Sequence, residues 1–336
     1  MPRYIATRLV SAAVMAVLAS LVVFLISALV PGDPVLAQLG DMAASNPETV
    51  SEWRAKWGLD LPLWERYGIF LNGLLHGDLG ISIATRRPVL EDIAQYAPAT
   101  IELATVSFLL TLVVGIPLGV AAAVWRDGWV DSAARVVSLL GVSSPTFWLA
   151  FIMLAIFYGW LGWAPGPGRI DPIAFPPEGP TGLFLVDAAL DGDWETWWDA
   201  ASHLVLPAIV LAAATIGLIT RTTRAAMLDS LGQDYVRVAR AKGLRAGVIV
   251  LRHALPNALV PVVTLGGLAY ANLLAGAVMT ETVFSWPGLG RYTFRSAAAL
   301  DFPAIIGITL VVSATYLLVN LIVDLSYAML DPRVRR

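Results

Sequence analysis

Cysteine is absent from this 336-residue chain, and histidine occurs only at His76, His203 and His253. The missing cysteines exclude a disulfide framework, thiolate metal sites and a cysteine nucleophile together. Charge is also scarce. Asp, Glu, Lys and Arg make up 14% of the residues and hydrophobic types 57%, where an average soluble chain is about a quarter charged. At a mean hydropathy of +0.72 there is too little polar surface to cover the apolar residues, so the missing solvent is lipid. Soluble globular, disordered and fibrous classes are thereby excluded. Nor is there a block of like charge. The 22 basic and 25 acidic residues leave a net charge of −3, which gives nucleic acid nothing to hold. No GxxxxGK[ST] loop occurs, so the chain lacks the usual means of cradling ATP, and ATP-driven work would belong to another subunit.

What is abundant is uninterrupted apolar sequence. Windows 9–32, 103–125, 136–168, 200–220, 253–280 and 302–323 contain no Asp, Glu, Lys or Arg. Each is long enough for a helix to cross the ~30 Å hydrocarbon core, which takes ~20 apolar residues. Only helices satisfy their backbone polar groups there without closing a barrel. The expected class is an all-α membrane protein with six transmembrane helices. Arg3 and Arg8 precede the first window as they would in a secretory signal. The window outruns the ~7 to 15 residues of a signal's apolar region, however, so a retained anchor is expected.

Basic residues fall in alternate connections: Arg3 and Arg8, Arg126 and Arg135, seven from Arg221 to Arg252, then Arg333, Arg335 and Arg336. The other connections hold 19 of the 25 acidic residues. By the positive-inside rule the first set, and with it both termini, is cytoplasmic. Trp125 and Trp129 flank one short connection, and Trp160 and Trp163 close the third window, as interfacial aromatic belts do.

Two amphipathic helices are expected between the first two spans. Asn46 before Pro47 starts one, with Val50, Trp53 and Trp57 on a face before Gly58. Pro62 opens the other, whose Leu63, Tyr67, Phe70, Leu71, Leu74 and Leu75 form a stripe ending at Gly77. They would lie on the outer membrane surface or against the bundle. The connection 169–199 sets seven acidic residues against one arginine, Arg169, and carries Trp194, Trp197 and Trp198. It reads as a surface for a protein partner or as a solvated loop anchored by its tryptophans. Small residues four apart, Gly115, Gly119, Ala123 and Gly267, Ala271, Ala275, read as close packing within the bundle, with a dimer interface second. Pro117 predicts a kink.

Chemistry is sparse. His253 falls on the opposite side from His76 and His203, so the three cannot share a metal. Glu102 and Asp324 sit at span ends with no opposite charge close in sequence. Membrane carboxylates can mark a proton path, but interfacial solvation or a helix-end contact is the favoured reading here.

The connection RTTRAAMLDSLGQDYVRVARAKGLRAGVIVLRHALPNALVP, 221–261, carries more. Gln233 to Lys242 predicts a short helix with Tyr235, Val238 and Ala239 on one face, Arg237, Arg240 and Lys242 around it, and Gly243 as a left-handed stop. In these residues the chain resembles the inner-membrane permease subunits of binding-protein-dependent ABC importers, and more closely the B-type permeases of the dipeptide/oligopeptide branch. The general importer loop has Glu-Ala-Ala, three residues, Gly, nine residues and Ile-x-Leu-Pro. Arg237, Val238 and Ala239 occupy the first three places here, followed by Gly243, His253, Leu255 and Pro256. The glutamate and isoleucine are absent, but the peptide branch's own YxRxARAKGL…HAL is reproduced. VPGDP at 30–34, LLHGDLGIS at 74–82, PGLG at 287–290 and DPRVR at 331–335 extend the likeness over nearly the full chain.

The resemblance implies a type I ABC importer permease fold in the inner (plasma) membrane. Residues 1–32 would be an anchor helix, 33–97 an extracytoplasmic subdomain, 98–330 a five-span core and 331–336 a cytoplasmic tail. Residues 233–243 would be a coupling helix seated in a groove of an ATPase, through Asp234, Tyr235, Val236, Arg237, Val238, Ala239, Arg240, Ala241, Lys242 and Gly243. Implied partners are a second, non-identical permease, two cytoplasmic ATPases that hold ATP and Mg, and an extracytoplasmic binding protein. No cofactor is expected in this chain, and no covalent chemistry. The implied cargo is peptide, with glutathione, nickel complexes or sugars as alternatives. Two other classes compete: a proton-coupled secondary transporter relaying through Glu102 or Asp324, and a membrane scaffold or sensor.

Overall fold

The computed structural model describes residues 2–29, 48, 50–52 and 60–330. The expected helix start at Asn46, with Trp53 and Trp57, lies outside the described residues, as do the VPGDP and DPRVR motifs and the tail 331–336. Among the described residues the chain is helical, with one isolated bridge between Ile81 and Pro88.

The elements run α1 (Pro2–Leu29), α2 (Leu63–Leu75), α3 (Val89–Val124), α4 (Trp129–Ser143), α5 (Thr146–Met153), α6 (Phe184–Asp191) and α7 (Trp194–Leu231). They continue with α8 (Asp234–Ala241), α9 (Leu255–Gly276), α10 (Val278–Val283), α11 (Leu289–Ala298) and α12 (Phe302–Leu330). π-Helical turns extend α5 over Leu154–Trp160 and lead into α9 over Ile249–Ala254. Among the described residues five stretches are long and apolar enough to cross a membrane, and six if the bent pair of α4 and α5 counts as one.

That bend corrects the expectation of one unbroken helix over 136–168. The two helices meet at 106°. Ser144 is extended at φ −86 and ψ 125, immediately before Pro145. A residue preceding proline is pushed out of the α region, and Pro145 brings no N–H to continue the ladder. In contrast, α3 remains one helix through both Pro98 and Pro117, so residues 97 and 98 lie within a single element.

The 36 residues of α3 span about 54 Å at ~1.5 Å per residue, well beyond the ~30 Å core. Since its charge-free stretch starts at Leu103, the turns before it project out of the membrane. Helix α7 is similarly long at 38 residues. Asp193 caps its start by accepting the Thr196 N–H at 3.1 Å, and that bonding to Thr196 holds the Asp193 carboxyl below its usual range.

Helices α3 and α7 form the centre of the bundle, and glycine lets them touch. A Cβ on Gly119 would lie 2.5 Å from the Thr223 Cβ and 2.7 Å from the Thr220 carbonyl oxygen. Gly115 faces Ile219 in the same seam, Gly217 meets the Ser138 carbonyl of α4, and Gly267 of α9 meets Val323 of α12. Gly115, Gly119 and Ala123 of the first ridge and Gly267 and Ala271 of the second are thus packed inside this chain, while Ala275 is exposed. At one end of the seam Leu103, Ala104, Leu204, Ala208, Leu211 and Trp286 form a buried cluster. Val10, Met15 and Ile26 of α1 remain exposed, as lipid-facing side chains do.

Helix α1 lies along α12 and is tied to it by Arg8 and Asp324 at 3.1 Å. Tyr67 and Phe70 of the α2 stripe pack back on α1, meeting Phe24 at ring-centroid distances of 5.4 and 5.5 Å, while Leu63 and Leu75 at its ends are exposed. The Tyr67 and Ser20 hydroxyls bond at 2.9 Å. Tyr67→Phe keeps the ring contacts and loses that bond, so it is expected to lower stability by about 0.5–1.5 kcal/mol. The melting temperature of the purified protein in detergent reads the loss.

Candidate functional site

Two regions carry the motifs, at opposite ends of the α3–α7 seam. At one, α7 runs out to Leu231 and the chain turns into α8. Gly243 stops α8 at φ +73, a conformation open to glycine without a Cβ penalty. Its N–H donates to the Arg240 carbonyl at 2.9 Å, and the Leu244 N–H to that of Ala239 at 3.3 Å, closing the helix end as a left-handed cap does.

The faces of α8 differ from the sequence expectation. Val236 and Ala239 are buried, packed with Ile249 and Leu231, whereas Tyr235 and Val238 are 40% and 53% exposed. Ala239 therefore belongs with Val236 on the inward row, and Tyr235 with Val238 forms the adjacent i, i+3 row, turned away. Ser230 Oγ donates to the Ala254 carbonyl at 2.9 Å, so the Tyr235 hydroxyl, 2.5 Å away, donates to Ser230. It accepts from Asn257 Nδ2 at 3.2 Å. The exposed ring is thus held in place. Arg237 pairs with Asp234 at 2.8 Å, both exposed, and Arg240, Ala241, Lys242 and Arg245 also face outward. Behind them, Arg224 of α7 grips Asp131 of α4 with two bonds of 2.7 and 2.8 Å. The stem of α8 is therefore fixed to the neighbouring helix.

At the other end, one turn of α3 gathers three segments. Ala99 accepts the Trp286 indole N–H at 2.8 Å. Thr100 Oγ1 donates to Glu281 Oε1 at 2.6 Å and accepts the Leu289 N–H at 2.8 Å. Glu102 Oε2 receives Arg169 Nη2 at 2.6 Å and Nε at 3.1 Å, while its Oε1 receives the Leu185 N–H at 2.8 Å. The Arg169 guanidinium also donates to the Gly182 carbonyl at 2.9 Å and lies 3.6 Å from the Phe184 ring centroid. Burial pulls its pKa below the usual range, and Glu102 opposes the shift.

This corrects the reading of Glu102 as an interfacially solvated carboxylate, whereas Asp324 stays part-exposed and makes a contact near its helix end, as expected. Glu102 is buried in an ion pair, and Asp324 is paired with Arg8. The PGLG motif also gains a reason. Gly288 and Gly290 pack on the Glu281 carboxylate, where a Cβ on Gly290 would lie 2.6 Å from the Val278 Cα. The Arg291 N–H donates to Glu281 Oε2 at 3.0 Å. Thr100→Val removes a donor to Glu281 and the acceptor of the Leu289 N–H together. A loss of about 1–3 kcal/mol is expected, because the Leu289 N–H loses its acceptor and Glu281 a donor in a buried site; thermal unfolding of the purified protein checks it.

The LLHGDLGIS motif feeds a neighbouring knot. Ser82 Oγ donates to Asp301 Oδ2 at 2.5 Å. Asp92 accepts from Thr85 at 2.6 Å and from the Tyr292 hydroxyl at 2.8 Å, and it pairs with Arg87. Burial, then the bond to Asp92, pushes the Tyr292 phenol above its usual range. Beside α7, the connection 169–199 borders an open cleft of about 800 Å³ whose lining includes Asp171, Phe175, Glu178, Asp191, Glu195 and Asp199.

Among the described residues no group of three His, Asp or Glu could hold a metal. The His76 and His203 rings bond carbonyls one turn back on their own helices. An exposed, braced helix at one end and a buried clasp at the other share a close-packed seam. The sequence reading missed Arg169 and Glu102 as a pair, although a lone arginine among seven acids was the available signal.

Comparison with known proteins gives two family matches. Residues 115–336 match the "Binding-protein-dependent transport system inner membrane component" family, and residues 1–104 the family described as "Binding-prot-dependent transport system membrane comp, N-term". The chain is 49% identical over 315 residues to the probable D,D-dipeptide transport system permease protein DdpB of Escherichia coli (strain K12), covering 94% of this chain and 92% of the relative. It is 40% identical over 316 residues to the dipeptide transport system permease protein DppB of Alkalihalophilus pseudofirmus. To DppB of Escherichia coli (strain K12) it is 41% identical over 318 residues. Each of these two alignments covers 94% of both chains.

Proposed function

This chain belongs to the family of binding-protein-dependent transport system inner membrane components, and on that premise we propose that it forms half of the translocation path in an ATP-driven importer of dipeptides or short oligopeptides. It is a multi-pass inner-membrane permease subunit and not an enzyme; ATP hydrolysis falls to partner ATPases. The observation that carries the cargo class is the 40–49% identity, along 94% of the chain, to permeases named for dipeptides.

In this reading the α4–α5 pair counts as one crossing, giving six, with both termini and α8 in the cytoplasm. The distribution of basic residues supports that sidedness, and the Arg8–Asp324 pair brings the first and last helices together. Residues 1–32 anchor, 33–97 form an outer subdomain, 98–330 form the transport core and 331–336 a cytoplasmic tail. A similar, non-identical permease completes the path, and an extracytoplasmic protein delivers the peptide. Residues 233–243 couple the chain to one of two ATPases. The exposed Tyr235–Val238 row fills the ATPase groove, and Arg237, Arg240 and Lys242 meet its acidic rim. ATP binding on the partners favours the outward-facing arrangement, and hydrolysis resets it. The proton-relay reading loses support, since its two carboxylates are engaged by arginines.

The test is to purify the tagged chain from its native membrane and identify what accompanies it. A second permease and ATPases are expected. A lone chain that carries solute across liposomes by itself would overturn the importer reading.

A further inference from the structure

Residues 161–193 join α5 to α7 and have two contrasting sides. Their outward surface presents Ile173 and Phe175, 89% and 88% exposed. Their base is held at four points, with Arg169 buried among them. The Gly168 N–H donates to the Phe284 carbonyl at 2.9 Å, and the Asp171 N–H to Asp199 Oδ2 at 2.8 Å. The other two points, Arg169 and the Leu185 N–H, converge on one side chain, Glu102. The same turn of α3 holds the segment 281–291 through Ala99 and Thr100. Trp286 lies between the two attachments, its ring centroid 5.9 Å from the Arg169 guanidinium.

We infer that Glu102 and Arg169 are positioning residues for transport, which join the outer loop to α3 so that a load placed on the loop by a docking protein reaches the spans. From Glu102 the close-packed path runs down α3 to Gly115 and Gly119, across to α7, and along α7 into α8. Stability alone does not call for this pair, since a buried ion pair can often be replaced by apolar residues at no loss. What apolar residues cannot supply is the fixed, forked geometry of a guanidinium on a carboxylate. The inference rests on the importer reading and deepens it by naming the link.

The experiment uses the assembled complex and compares ATP hydrolysis with and without the dipeptide-loaded binding protein. The double variant Glu102→Gln with Arg169→Met removes both charges together and keeps an acceptor for the Leu185 N–H, while the Gly182 carbonyl loses its Arg169 donor. It is expected to assemble and to retain basal hydrolysis and melting temperature, while stimulation by the binding protein falls about tenfold, a usual size for coupling between sites. Wild-type stimulation in that variant would overturn the inference. Should the double variant fail to assemble, Arg169→Lys decides, because it keeps the charge and loses the fork. Reduced stimulation supports the link, and full stimulation contradicts it. A wild-type complex that no loaded binding protein stimulates would instead defeat the importer reading, so the two failures are distinct.

Discussion

Val238→Asp is expected to abolish ATP-driven transport while leaving the chain folded. Val238 is 53% exposed on α8, in the row turned away from the body of the protein. A substitution at such a surface position usually changes stability by no more than about 0.5 kcal/mol. In the groove of an ATPase the same carboxylate is desolvated without a partner, which costs several kcal/mol. A loss of about 100-fold in ATPase affinity or coupled transport follows, the size of an interface hot spot of about 2–3 kcal/mol. Val236→Asp is the contrast. Its position is fully buried against the chain's own Leu231 and Ile249, so that charge should damage the fold of the subunit itself. Binding of the purified ATPase, together with the melting temperature of each variant, separates the two outcomes. Normal ATPase binding by a folded Val238→Asp chain would remove α8 from the coupling role.

Gly119→Leu is expected to have the largest effect on assembly. Even a single added carbon would lie 2.5 Å from the Thr223 Cβ and 2.7 Å from the Thr220 carbonyl. Leucine adds three more, and the atoms in the way include backbone that cannot rotate aside. Overpacking a well-fitted core costs about 1–3 kcal/mol where side chains can adjust. Here α3 and α7 must separate along the central seam, so a larger loss is expected, set against a total stability of about 5–15 kcal/mol for a typical domain. The variant should lose its monodisperse peak in size-exclusion chromatography, with Gly119→Ala intermediate. Gly68→Ala on α2 serves as the control, because nothing lies within 4 Å of its added carbon.

The long helices were legible because desolvation of charge is so costly that charge-free windows mark lipid contact directly. The short helix before Gly243 was legible for a different reason, since a glycine at the end of an amphipathic run is a local signal that needs no tertiary partner. The break at Ser144–Pro145 was not legible. Pro98 and Pro117 sit inside an uninterrupted helix while Pro145 divides two, a difference that hydropathy does not record. Ala239 was grouped with Tyr235 and Val238 for a related reason, although it packs inward with Val236. Tyr235, Val236, Val238 and Ala239 all qualify as apolar, and only the position of Leu231 and Ile249 decides which pair is covered. The clasp at Glu102 was beyond reach of spacing arguments, because its partner Arg169 lies 67 residues away. Membrane carboxylates at span ends read as solvated until the loop that covers them is seen.

The most direct test of the central claim is uptake of a labelled dipeptide into proteoliposomes. They would contain this chain with its co-purifying permease and ATPases, with binding protein on one side and ATP on the other. Accumulation that requires both ATP and the binding protein, and that disappears with Val238→Asp, is the expected result. Uptake that proceeds without ATP, or that persists when the ATPases are left out, would contradict the account.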